Sequence, residues 1–315
     1  MPAFSASAPG KIILFGEHAV VYGRPAIAVP VTQVRAKAIV TAEPKSPSGQ
    51  VRFIAPDVNL EATLESLPHD HPLALTIRNA ASVLHLARIP ACSIRITSTI
   101  PIAAGMGSGA AVSVAILRAF SASMGHPLTD LQISDLVFET ERIYHGTPSG
   151  IDNTVITYAR PVYFTSGKQP EILSVNHPFT LIIADTGLKS PTSMAVSDVR
   201  QAWQHHTKQF EQLFDAAGAI TDAGRTAIES GQLEVIGSLM NENHAVLQKI
   251  GVSCPELDVL VETAHTAGAL GAKLSGAGRG GSMVALVPPA ISPEVAAALM
   301  AAGAVSTITT EVSPS

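Results

Sequence analysis

The sequence predicts a protein of mixed helices and strands, arranged as two domains that meet near residue 165. Three observations carry this expectation. The 315 residues suit two modest domains or one large one. The first half mixes short strand-like and helical stretches, whereas the second opens on strands and continues into a long helical region. No repeated strand–helix–strand unit, internal repeat or low-complexity tract beyond general alanine richness overrides that pattern.

The elements follow in order. Residues 12–15, 27–41 and 51–54 read as strands, and 73–87 as a helix with Leu73, Ile77 and Leu84 among its apolar positions. In 93–100, Ile94, Ile96 and Ile100 alternate with Arg95, Thr97 and Thr99, the period of a strand, and 110–122 is alanine-rich and helical. Thr129-Asp130-Leu131-Gln132 has the form of a capping box, opening a helix that runs to about His145 with Gly146 as its stop. Thr147-Pro148-Ser149-Gly150 is a turn-rich link. Strands at 161–164 and 179–185 precede a helical region from 193 to 267, a glycine cluster at 275–281 and a last strand at 282–287.

Composition narrows the function. The chain is 46% hydrophobic but 4% aromatic, so Ala, Val, Ile and Leu build the core. With 14% charged residues, a net charge of −5 and no basic run, nothing tracks a nucleic-acid backbone, which leaves small molecules or protein surfaces as partners. Met1-Pro2-Ala3-Phe4-Ser5 is not a secretory signal, and no apolar run reaches the ~18–20 residues a bilayer span needs. Cys92 and Cys254 are too few for a disulfide framework. A soluble cytoplasmic protein is expected.

The segment Pro101-Ile102-Ala103-Ala104-Gly105-Met106-Gly107-Ser108-Gly109-Ala110-Ala111 joins a strand to a helix. Its glycines let backbone N–H groups approach an anion, and the helix N-terminus adds unpaired donors and a favourable dipole. It reads either as a phosphate cradle or as a tight turn with close helix–sheet packing. Neither a G-x-x-x-x-G-K-[ST] loop nor a G-x-G-x-x-G fingerprint is present.

Three further clusters carry chemistry. In Gly10-Lys11-Ile12-Ile13-Leu14-Phe15-Gly16-Glu17-His18 a lysine, a carboxylate and an imidazole lie near glycine turns and suit a polar substrate pocket; a surface lysine and a core histidine are the bland alternatives. Glu141 and Asp152 pair two carboxylates across a chain break, as metal-assisted phosphoryl transfer requires; an exposed helix charge and a turn or N-cap residue are the alternatives. Lys273-Leu274-Ser275-Gly276-Ala277-Gly278-Arg279-Gly280-Gly281 is either a hairpin connector or a backbone surface, with Gly276 and Ala277, closing on substrate or phosphates. His69-Asp70-His71-Pro72 reads as a polar loop before a helix rather than a metal site.

In order and spacing these segments resemble the signature motifs of the GHMP small-molecule kinases over 9–281, and Gly16-Glu17-His18-Ala19-Val20-Val21-Tyr22-Gly23 is similar to the mevalonate kinase branch. The resemblance implies an α+β, two-domain GHMP kinase fold, with a ribosomal protein S5 domain 2-like N-terminal domain (1–165), a ferredoxin-like C-terminal domain (166–315) and ligands between them. It implies ATP-dependent phosphorylation of (R)-mevalonate to 5-phosphomevalonate, and a homodimer as in many relatives. Phosphomevalonate kinase, mevalonate 3-kinase and a non-catalytic sensor are the alternatives.

Residue by residue, the resemblance makes Asp152 the base toward the substrate hydroxyl and Lys11 the cation that lowers that hydroxyl's pKa. Glu17, His18, Asp152, Thr192, Gly276 and Ala277 match substrate positions. Pro101, Ala104, Gly105, Met106, Gly107, Ser108, Gly109 and Ala110 match the ATP triphosphate loop. Glu141 and Ser108 match Mg²⁺ positions. Gly109 departs from the pattern, since many members carry there a second serine that binds Mg²⁺; Ser108 or water fills that place. Arg279 also departs, in a motif often all glycine, and either meets a phosphate or faces solvent.

Overall fold

The computed structural model describes residues 3–101, 104–145, 148–189 and 192–314. The chain packs into two units, each made of three stretches. Met1–Gly10, Val34–Ile100 and Gly107–Ala159 form the first, and Lys11–Gln33, Pro101–Met106 and Arg160–Ser315 the second.

Strand β1 (Ala3–Phe15) starts in the first unit and β2 (Ala26–Ala42), with which it pairs, ends there. In that end of β2, buried Val34, Ala36, Ala38 and Val40 alternate with Arg35, Lys37 and Ile39, the period of a sheet buried on one face. The rest of the unit is β3 (Val51–Ala55), β4 (Leu60–Thr63), α1 (Pro72–Val83), β5 (Cys92–Ser98), α2 (Ser108–Ser123), α3 (Asp130–His145) and α4 (Ile151–Tyr158). The strands lie in the order β4-β3-β5-β2; β3 and β5 are parallel and the other neighbours antiparallel. The helices pack on one another and α2 on β5, with Phe53, Ile77, Ile94, Ile116 and Phe120 fully buried.

Several boundaries differ from those the sequence predicts. β1 is longer than 12–15 and continues back through Gly10 and Pro9. Helix α1 stops at Val83 rather than 87, because Leu84 is its C-cap and His85 turns to a φ of 52°. His71 is the N-cap of that helix; its Nδ1 accepts the Leu73 N–H at 3.2 Å, which accounts for the His69-Asp70-His71-Pro72 segment as a helix start. The capping box forms as predicted: Thr129 Oγ1 accepts from the Gln132 N–H (3.3 Å) and Gln132 Oε1 from the Thr129 N–H (3.0 Å). Gly146, the expected stop, and Thr147 lie outside the described residues.

In the second unit the start of β2 pairs antiparallel with β6 (Val162–Phe164), and β6 with β7 (Glu171–Ile172). Then follow β8 (Phe179–Asp185), α5 (Thr192–His205), α6 (Thr207–Ser230), α7 (Leu233–Ile250), α8 (Pro255–Thr266), β9 (Gly271–Ser275), β10 (Ser282–Val287), α9 (Ser292–Ala301) and β11 (Ser306–Val312). Gly231 and Gly251, both left-handed, cut the predicted helical region. The last four strands form an antiparallel sheet ordered β11-β8-β10-β9, that is fourth-first-third-second, with helices between first and second and between third and fourth. This is the ferredoxin-like arrangement that the resemblance implies. One sheet face is closed by helices over Ile182, Ala184, Phe214, Leu247, Leu260, Leu274, Met283 and Leu299.

Strand β9 is an edge, and α7 covers it. The N–H groups of Ala272 and Leu274 donate to Asn241 Oδ1 (2.9 Å) and His244 Nδ1 (3.3 Å). Two glycines permit that approach: a Cβ on Gly271 would fall 2.1 Å from the carbonyl oxygen of Gly237. Among the described residues no helix is long and apolar enough to cross a membrane.

Candidate active site

The predicted phosphate loop is divided between the two units, with Pro101–Met106 in the second and 107–110 in the first. Ile102 and Ala103 lie outside the described residues. In the first unit Gly107 is the N-cap of α2, left-handed at φ 70° and without a side-chain cap. The ladder begins with the Ala111 N–H on the Gly107 carbonyl (3.0 Å), so helix geometry leaves the N–H groups of Ser108, Gly109 and Ala110 outside it. Among the described residues a Cβ on Gly109 would meet Glu141 Oε1, at 3.5 Å. A carboxylate from α3 therefore stands beside N–H groups that the helix ladder does not use, at the positive end of α2, a juxtaposition that suits a metal-bound polyphosphate. That donor set fits ATP and Mg²⁺: one protein carboxylate, a hydroxyl on Ser108 and backbone N–H groups.

Asp152 is half-buried in the first turn of α4, behind the left-handed N-cap Gly150. Of the bland sequence alternatives for Asp152, a turn or an N-cap residue, the helix start is nearer: it is the second residue of α4, just past the cap. The first unit thus holds Ser108, Gly109, Ala110, Glu141 and Asp152.

In the second unit Lys11 is 4% exposed on β1, and its N–H donates to the Met106 carbonyl at 3.1 Å. Ser282 Oγ on β10 donates to the Ala104 carbonyl at 3.0 Å. The Ala104 and Met106 side chains are buried, whereas Gly105 between them has φ 74°, and a Cβ added there would meet no described residue within 4 Å. The described part of the first half of the loop is thereby anchored to β1 and β10, with Gly105 exposed.

The Glu17–His18 pair is buried too. Glu17, 1% exposed, forms an ion pair through Oε1 with Nζ of Lys273 on β9, a partner 256 positions away that the sequence does not signal. Burial pushes the Glu17 carboxyl up and the Lys273 ammonium down, each opposed by attraction to the other. His18, 6% exposed, places Nε2 at 3.0 Å from the carbonyl oxygen of Ala277. Burial lowers its pKa to about 4, with the Arg279 charge acting in the same direction and the Ala277 bond opposing both. A carbonyl only accepts, so Nε2 carries the proton and Nδ1 of the neutral ring presents a lone pair.

The glycine cluster is a β9–β10 hairpin loop, Ser275 facing Ser282, as the connector reading has it, and the Ala277 carbonyl accepts from His18, a contact the sequence does not signal. Arg279 pairs with Asp198 on α5, and its N–H bonds the Val252 carbonyl at 2.7 Å. Thr192 is exposed as the first residue of α5; Ser190 and Pro191 before it lie outside the described residues.

Comparison with known proteins adds to this geometry. The family model "GHMP kinases N terminal domain" matches residues 74–160, and "GHMP kinases C terminal" matches 225–304. A mevalonate kinase of Pyrococcus horikoshii is 37% identical over 96% of this chain and 94% of its own. The crystal structure of L. major mevalonate kinase in complex with R-mevalonate superposes with a TM-score of 0.85 at 31% identity, covering 99% of this chain and 96% of that one. The Methanococcus jannaschii mevalonate kinase structure gives 0.84 at 25% identity, with 98% of each chain covered.

Proposed function

We infer the chemistry of this chain from one premise: it belongs to the GHMP kinase family. It is an ATP-dependent kinase that acts on mevalonate, transferring the γ-phosphoryl group to the 5-hydroxyl of the R enantiomer. The observation that carries phosphoryl transfer is the Glu141 carboxylate 3.5 Å from the Cβ position of Gly109, at the open N-terminus of α2. The Glu17–His18 segment and the nearly full-length likeness to mevalonate kinases support the acceptor.

In this reading residues 1–165 form the ATP-binding domain and 166–315 the C-terminal domain. Pro101, Ala104, Gly105, Met106 and Gly107 shape the triphosphate loop, and Ser108, Gly109 and Ala110 donate their N–H groups to phosphate oxygens. Glu141 and Ser108 hold Mg²⁺, which when bound neutralises charge on the phosphates. Asp152 takes the proton of the mevalonate hydroxyl, and Lys11 stabilises the developing alkoxide. His18, neutral at physiological pH, accepts a hydrogen bond at Nδ1; Thr192, Gly276 and Ala277 complete the substrate surface, and Glu17 supports it from its buried ion pair with Lys273. Phosphoryl transfer needs little covalent help, so positioning and charge neutralisation supply most of the acceleration. The low charge density supports a cytoplasmic small-molecule enzyme, with neither nucleic acid nor membrane as partner.

Turnover tests the reading. Mg²⁺, ATP and (R)-mevalonate should give ADP and 5-phosphomevalonate in equal amounts, with phosphomevalonate a poor acceptor; preference for phosphomevalonate, or product phosphorylated at the 3-hydroxyl, would replace the assignment. Asp152→Asn should lower kcat about a thousandfold while ATP affinity, measured by titration, stays near native. Near-native turnover in that variant removes Asp152 from the base role.

A further inference from the structure

Lys273 is fully buried and, beyond its pairing with Glu17, no role above uses its charge. On β9 the side chains alternate: Ala272 and Leu274 enter the helical core, whereas Lys273 and Ser275 turn to the other face. There Lys273 Nζ binds Glu17 Oε1 and the Leu274 carbonyl (2.6 Å). Ser275 Oγ donates to the Ile13 carbonyl at 2.7 Å, and the Ala277 carbonyl accepts from His18. Alternate residues 273, 275 and 277 thus tie one hairpin to Ile13, Glu17 and His18, all within the second unit.

What they hold is a backbone that does not hold itself. His18 has φ 59° and ψ −50°, and the Ala19 N–H bonds the Glu17 carbonyl at 2.6 Å. This is the rare, strained form of the γ-turn, at a residue with a side chain. Strain of this kind persists only where surrounding contacts over-determine it. A buried ion pair adds little net stability, and its removal as a pair is often neutral, so a role in fixing geometry is the stronger explanation for this one.

We propose that Lys273 is a positioning residue of the kinase site: by binding Glu17 it fixes the strained turn that presents His18 to mevalonate. The proposal rests on the acceptor assignment above. Among the described residues, the other charged or titratable groups bearing on the pair are Lys11 from β1 and His244 from α7.

The test compares wild type with Lys273→Met and with the double variant Glu17→Met/Lys273→Met, in which no buried charge is left alone. Both variants should raise KM for mevalonate about tenfold, with KM for ATP within about twofold of native. The double variant should melt within a few degrees of wild type, while exchange of the Ala19 amide, followed by mass spectrometry, becomes faster. A native mevalonate KM in the double variant overturns the proposal, as does an ATP KM rising in step, which marks general loosening. Should the wild type turn over no mevalonate, the acceptor assignment falls, and amide exchange alone decides: unchanged exchange at Ala19 in the double variant refutes the positioning role.

Discussion

Two glycine-rich loops look alike in the sequence and differ in what their glycines are for. Around the start of α2, among the described residues, a Cβ on Gly105 would meet nothing within 4 Å and one on Gly109 would meet Glu141. In the β9–β10 hairpin, a Cβ on Gly278 would fall 2.0 Å from the Val252 carbonyl oxygen, and one on Gly280 2.6 Å from that of Leu188. The hairpin is also bound from outside: the Gly281 N–H donates to Leu188, and Thr186 Oγ1 donates to the Gly281 carbonyl. Glycine in the first loop keeps backbone available to a ligand. Gly278 and Gly280 in the second let backbone press against backbone, whereas a Cβ on Gly276 or Gly281 beside them would meet no described atom within 4 Å.

Substitutions test that contrast. Gly278→Ala combines a φ of 76° with a backbone collision and should cost about 4 kcal/mol in denaturant unfolding; a cost near that of an open site would make the two loops equivalent. The burial of His18 predicts a pH effect, which its bond to the hairpin only reduces. The pKa of His18 falls from 6.5 unfolded to about 4 folded, so the unfolded chain binds the extra proton between those values and stability drops as pH falls from 6.5 to 4. The loss is about 3 kcal/mol, and His18→Gln should flatten the slope by one proton. Gly105→Ala meets no neighbour among the described residues and should cost only about 1 kcal/mol for its left-handed backbone, while weakening ATP binding. Gly109→Ser, in helical backbone beside Glu141, should change stability by less than about 0.5 kcal/mol yet shift the Mg²⁺ dependence of turnover; an unchanged Mg²⁺ titration would show that position 109 does not touch the metal.

Local signals make much of the fold legible. Strands β8 and β10 match their apolar runs, and the Thr129–Gln132 capping box fixes the start of α3, because each is decided by residues within a few positions. Helix α1 is shorter than its pattern suggests, since Leu84 and Leu86 continue an apolar period that the left-handed His85 interrupts. Helix α4 carries no comparable signal, because its eight residues directly follow a turn-rich link. At the candidate site the motifs are visible in the sequence and their pairings are not. Lys273 stands at the head of a glycine motif, but its binding to Glu17 depends on strand alternation in β9 and on a contact 256 positions away. The same holds for the Glu141 carboxylate beside Gly109, which only the packing of α3 against α2 reveals.

The three-stretch construction of each unit bears on how the molecule can be dissected. No single cut frees either unit as a continuous piece, because Lys11–Gln33 and Pro101–Met106 belong with the chain after Arg160. A fragment ending at residue 165 would carry Lys11, Glu17 and His18 away from the hairpin that bonds the latter two, and would leave Lys273 in the other fragment with no counter-charge from Glu17. Split halves should therefore regain structure only when mixed, and a gene fragment chosen by domain boundary alone would encode half of two unfinished bodies.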